Sequence, residues 1–109
     1  METKKTLVLG ASENPARYSN LAIKRLTAQG QPVVAIGKRK GKVADVEIET
    51  GQKQFDNINT VTLYLSPAHQ KEYYDYIISL RPKRIIFNPG AENEELYDLA
   101  EKNNIKPQE

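Results

Sequence analysis

The chain has 109 residues, 39% of them hydrophobic and 28% charged, with a formal net charge of +2. That length suits one folded domain and leaves no room for a separate substrate domain, and the composition is not that of a disordered chain. The lack of cysteine excludes disulfides, thiolate catalysis and cysteine-based metal sites; the single histidine, His69, has no partner for a histidine-based one; and the charge is too small for the basic stripe of a nucleic-acid binder.

No charged-then-apolar leader opens the chain and no apolar run approaches the length of a membrane span, so the expectation is a cytoplasmic protein without a membrane segment. Short β-branched runs alternate with helical patterns, the sequence form of a parallel sheet covered by helices. Thr6 to Gly10 reads as the first strand, apolar on both faces. Ser19 is expected to cap a helix running to about Gln29, with Ala22, Ile23 and Leu26 toward the sheet and Gly30 closing it. Pro32 to Gly37 is the second strand. Residues 43 to 59 are less regular, with Val46 to Ile48 as a short edge strand, Thr50-Gly51 as a turn and Gln52 to Asn57 as a turn of helix.

Thr60 to Leu65 is the next strand. It ends in Ser66-Pro67, a proline suited to the first position of a helix, in which Tyr73, Tyr74, Ile77 and Ile78 share a face. Arg84 to Asn88 is the fourth strong strand, followed by Pro89-Gly90 and a helix from about Glu92 to Asn103, with Leu96, Leu99 and Ala100 inward. Ile105-Lys106-Pro107 begins a fifth, and a domain of this type is expected to continue past Glu109. Right-handed crossovers predict a Rossmann-like α/β three-layer sandwich, a single domain over residues 1–109, with a parallel sheet of order about 3-2-1-4-5 and the first strand central.

In such a sheet the ligand crevice lies at the carboxyl ends of the strands, which directs attention to residues 10–19, 37–42, 65–68 and 88–93. The first turn, Gly10-Ala11-Ser12-Glu13-Asn14-Pro15-Ala16-Arg17-Tyr18-Ser19, holds only the first glycine of a dinucleotide fingerprint. Gly10 permits a tight turn, small Ala11 and Ser12 allow backbone to approach an anion, the Ser12 hydroxyl can donate to phosphate, and so can backbone N–H groups at the helix start near Ser19. Arg17 offers a planar cation for bidentate phosphate binding, or else pairs with Glu13 as an ordinary loop residue. After the second strand, Gly37 leads into Lys38, Arg39, Lys40 and Lys42, where an NAD-preferring fold would carry an acid. A phosphate on the ribose is the simplest ligand for that cluster, and a solvated basic turn is the bland alternative. Ser66 and Pro67 are expected to form one wall of the crevice, and Asn88, Pro89 and Gly90 to line it with an amide and open backbone. The glutamates Glu92, Glu94 and Glu95 bar anions from the last helix start.

The pattern Gly-Ala-Ser, then Asn-Pro and Arg-Tyr-Ser, resembles the small bacterial CoA-binding proteins, whose domain is similar to the N-terminal CoA-binding domain of the succinyl-CoA synthetase α subunit. The resemblance spans nearly the whole chain and includes the Ser66-Pro67 junction and the Gly90-x-x-Asn93-Glu94-Glu95 segment. It implies coenzyme A across the strand ends, with Gly10, Ala11, Ser12, Arg17 and Ser19 at the phosphates and Lys38 and Arg39 at the adenosine phosphate end. Where relatives usually read Val-Asn-Pro after the second strand, this chain has Ile36-Gly37-Lys38.

No catalytic set is expected. His69 follows Ser66 by three residues with no acid partner evident by spacing, and helix-cap electrostatics account for the glutamates. Three readings stand: a CoA or acyl-CoA binding module, an NADP-binding domain of a small reductase, and a scaffold working through protein contacts. Partners are then a small nucleotide ligand and, through an unfinished sheet edge, a second copy or an accessory protein.

Overall fold

The computed structural model describes residues 5–109. Its strands are β1 (Lys5–Ala11), β2 (Val33–Gly37), β3 (Gly41–Val43), β4 (Val46–Glu49), β5 (Ile58–Leu63), β6 (Arg84–Phe87) and β7 (Lys106–Gln108). The helices are α1 (Tyr18–Ala28), α2 (Pro67–Gln70), α3 (Tyr74–Ser79) and α4 (Glu94–Lys102), with a 3₁₀ turn over Lys71–Tyr73 joining α2 to α3. The strands form one sheet of order β3-β4-β2-β1-β5-β6-β7, parallel except for the β3–β4 hairpin. The fold is Rossmann-like.

β1 lies at the centre of the sheet because both of its faces are apolar. Leu7 and Leu9 belong to a core with Val61, Leu63, Ile85, Phe87, Tyr76, Ile77, Leu96 and Ala100. Val8, one step out of phase, packs with Ile23 and Ala35 under α1. One face therefore carries α1 and the opposite face carries α2, α3 and α4. Helix α1 stops where Gly30 takes a φ of +74°, as the glycine there predicted.

The strand order differs from the one expected. β5 lies beside β1 instead of outside β2, and seven strands are present among the described residues where five and a short edge strand were anticipated. The reason is the hairpin after the basic cluster. Ala44 and Asp45 both have positive φ (48° and 65°), the geometry of a two-residue hairpin turn, and they fold β3 back on β4. β4 then pairs in parallel with β2 through Ala35↔Ile48 and occupies its outer edge, so the next crossover must reach the free side of β1. β4 is the short edge strand expected over Val46 to Ile48; β3, with only three residues, was not anticipated.

Two local expectations also fail. Residues 52–57 form no helical turn: Gln52 Nε2 donates to the Glu72 carbonyl at 2.6 Å and the Tyr76 hydroxyl donates to the Lys53 carbonyl, which pin this stretch to the neighbouring helical layer. Burial pushes the Tyr76 hydroxyl up to about 12, so its contribution to stability holds below the ordinary tyrosine value and is lost as pH rises toward the shifted one. The last helix begins at Glu94 rather than Glu92, because Asn93 caps it by accepting from the Glu95 and Leu96 amides.

Candidate functional site

Because β1, β2, β5 and β6 are parallel, the turns that follow them gather along one edge of the sheet, with Ala11 level with Gly37 and Leu63 level with both Leu9 and Phe87. Close backbone approach draws three of these turns together. Gly10 has a φ of +98°, and a Cβ there would stand 2.9 Å from the Tyr64 carbonyl carbon and 3.2 Å from Leu65 Cδ2. At Gly37 a Cβ would stand 2.3 Å from the Ala11 carbonyl oxygen. A small cavity of about 30 Å³ opens between them, lined by Gly10, Gly37, Lys38, Leu65, His69 and Tyr73 among others.

The first turn is shaped by its own side chains. Ser12 Oγ accepts from the Asn14 amide and Asn14 Oδ1 accepts from the Ala16 amide, each at 3.0 Å, two short side-chain turns in succession. The Ser12 hydroxyl proton stays available for a ligand oxygen. Arg17, not Ser19, occupies the cap position of α1, and no side chain bonds the first helical amides. Ser19 is buried in the first turn of the helix and offers its hydroxyl to no open surface. Arg17 is exposed and forms no ion pair among the described residues. Asn20, which the sequence reading passed over, is buried and donates to the Ser12 carbonyl at 3.1 Å, holding the turn to the helix.

Three helices start at this edge, α1, the four-residue α2 and α4, and the two longer ones differ. The first turn of α1 contains no acidic residue, whereas α4 is capped by Asn93 and opens on Glu94 and Glu95. The positive end of the α1 dipole is thus free to attract an anion, and that of α4 is already answered.

The fourth turn joins the others through Gln70. This side chain is fully buried; its amide donates to the Leu65 and Ala91 carbonyls, each at 2.8 Å, and accepts from Asn93 Nδ2 at 2.9 Å. Asn93 Nδ2 also donates to the Tyr74 hydroxyl at 2.7 Å. Nothing in the sequence marked Gln70, since a glutamine in a helical stretch reads as surface. Replacing Gln70 with leucine is expected to lower stability by about 3 kcal/mol in urea denaturation, because two carbonyls and an amide lose their partners at roughly 1–3 kcal/mol each, incompletely additive.

Pro67 takes the first position of α2 as expected, with Ser66 as cap. Ser66 Oγ and His69 Nδ1 lie 3.1 Å apart, both exposed at the crevice rim. The Asn88 side chain turns elsewhere. Its amide donates to Thr62 Oγ1 (2.7 Å) and the Leu63 carbonyl (2.8 Å), cross-linking β5 and β6 on the α1 face. There it lines a larger hollow of about 490 Å³ with Pro89, Tyr18, Thr62, Tyr64 and Arg84. The alternation of β6 carries the signal: Arg84, Ile86 and Asn88 share one face, opposite Ile85 and Phe87. Gly90 has a φ of +92°, and its amide is taken by Glu92 Oε1 at 2.8 Å. Lys38, Arg39 and Lys40 are exposed in the turn after β2. No cluster of three potential metal ligands and no helix long and apolar enough to cross a membrane occur among the described residues.

A Rossmann-like sheet with an uncapped helix start and a cation-rich turn at its carboxyl edge is the class of architecture that the chain presents. Comparison with known proteins narrows the class. A model of the CoA binding domain matches residues 4–109, and the chain belongs to that family. It is similar to a solved uncharacterized protein at 44% identity (TM-score 0.94), covering 99% of this chain and 89% of the other. It shares its fold with a conserved hypothetical protein from Pyrococcus furiosus (23% identity, TM-score 0.83, 96% of this chain and 91% of the other) and with a hypothetical protein from Pyrococcus horikoshii OT3 (24%, 0.87, 98% and 76%). No curated protein matches the chain.

Proposed function

We propose that the protein is a binding module for coenzyme A or an acyl-CoA, acting in the cytoplasm. The observation that carries this reading is the uncapped, acid-free start of α1 beside Arg17, at the edge where the exposed cations Lys38 and Arg39 also emerge. A pyrophosphate would lie against the Gly10–Arg17 turn, where the Ser12 hydroxyl, the first amides of α1 and the Arg17 guanidinium all donate. The cations after β2 would meet the phosphate on the adenosine ribose. Binding at so exposed a mouth is screened by salt, and affinity should fall as ionic strength rises.

The test is a thermal-shift titration against CoA, dephospho-CoA, acetyl-CoA, NADP and NAD. At a hundred times its dissociation constant, a ligand of the native state adds about 2.7 kcal/mol, which moves the midpoint by roughly 10 °C in a domain of this size. A shift with CoA that weakens with dephospho-CoA is the expected result. A shift with NADP alone would replace this reading by that of a reductase domain, and no shift with any of the five would favour a scaffold.

A further inference from the structure

The acid in the first turn, Glu13, has a partner that its neighbours in sequence did not foretell. Instead of pairing with Arg17, its Oε2 accepts from the Lys42 amide at 3.0 Å, across 29 positions of the chain. The contact depends on Gly41. A Cβ at that position would stand 2.3 Å from Glu13 Cδ and 2.5 Å from Cγ, so only a glycine lets the acidic side chain lie on the loop. Gly41 is not among the glycines with positive φ, so its backbone does not itself require a glycine. The space it leaves is filled by Glu13.

We infer that Glu13 is a positioning residue that latches the Lys38–Lys42 loop to the phosphate turn and thereby sets the preference for a ligand carrying a phosphate at its adenosine end. This rests on the reading of the strand-end crevice as a CoA site. A loop held in one place loses less freedom when a ligand binds it, and its cations stand in register with the turn that holds the pyrophosphate. The latch also carries a charge. Glu13 forms no ion pair among the described residues, and its carboxylate, held at the Lys42 amide of the basic loop, opposes an incoming anion. Two effects of opposite sign on one residue can be separated by substitution.

Glu13→Gln keeps an oxygen to accept from Lys42 and removes the charge. Glu13→Asp keeps the charge and is one methylene too short. Gly41→Ala keeps Glu13 intact and displaces it, at little cost to the fold because what must move is a flexible side chain. Two measurements decide: hydrogen exchange at the Lys42 amide in the free protein, and calorimetric titration with CoA and dephospho-CoA. Exchange at Lys42 should be as slow in Glu13→Gln as in the wild type and at least about tenfold faster in Glu13→Asp and Gly41→Ala. CoA affinity should rise about threefold in Glu13→Gln and fall about tenfold in the other two, with the preference for CoA over dephospho-CoA reduced in those two alone. Unchanged exchange at Lys42 in both latch-breaking variants, or unchanged CoA affinity in them beside a wild type that binds, would overturn the latch. A wild type that binds no CoA would overturn the underlying reading, and the exchange data keep that failure apart from failure of the latch.

Discussion

Removing both cations at the end of β2, with Lys38→Ala and Arg39→Ala combined, is expected to weaken CoA binding about tenfold and dephospho-CoA binding less than about twofold, as read by calorimetric titration. The asymmetry is the point of the experiment. Both ligands carry the same pyrophosphate, which the Ser12–Arg17 turn would hold, and they differ only in the phosphate on the ribose. Lys38 and Arg39 are solvent-exposed, so each contributes far less than a buried charge pair, and the effect should shrink further in high salt. Because neither side chain supports the core, the variant should melt within about a degree or two of the parent, in line with the small effect of most surface substitutions. Equal losses for the two ligands would detach the basic loop from the ribose phosphate. A loss confined to dephospho-CoA would be incompatible with the arrangement altogether.

A second large effect concerns the glycines that bring the turns together. Gly37→Ala is expected to destabilise the fold by about 2–4 kcal/mol and to lower the melting midpoint by on the order of 10 °C. The added Cβ would sit 2.3 Å from the Ala11 carbonyl oxygen and 3.0 Å from Ile48 Cγ2. The Ala11 carbonyl is main chain at the paired ends of β1 and β2, so it cannot move aside without disturbing Ala11↔Gly37. Gly10→Val should be at least as costly. From the sequence that substitution looks like a clean block on a pyrophosphate, sparing the fold. The structure gives Gly10 a positive φ and places the Tyr64 main chain 2.9 Å from its absent side chain. A β-branched residue there meets both backbone strain and overpacking. A Gly10→Val protein that lost CoA binding would therefore have to be shown folded before the loss is ascribed to the site. A midpoint unchanged in Gly37→Ala would mean that β1 and β2 can separate at their ends, and that the crevice is softer than its geometry implies.

Much of the architecture was legible because it is written in local patterns. The apolar run of β1, with core residues on both faces, required a central strand, and the β-branched runs located β2, β5 and β6 as strands without fixing their order about it. Gly30 and Pro67 fixed a helix end and a helix start through backbone preferences that no tertiary contact needed to create. The same holds for the composition of the first turn: Gly10, Ser12 and Arg17 make it a candidate for anion binding by residue type, and the family resemblance rests in part on those residues.

What the tertiary structure decided is how these pieces meet. The side of β1 on which β5 lies followed from a hairpin whose first strand was too short to be read and whose second occupies the outer edge of β2. Ser19 went into the first turn of the helix because Arg17 took the cap position two residues earlier. Asn88 faced away from the crevice because the alternation of β6 put it with Arg84 and Ile86. Gln70, Asn20 and Glu13 could not be recognised as the ties between turns, since each has its partners 5 to 29 positions away. Propensity and periodicity act over a few residues and so belong to the sequence. The pairing of a buried amide or a latching carboxylate is settled only when packing brings distant carbonyls and amides within hydrogen-bonding distance, and that belongs to the fold.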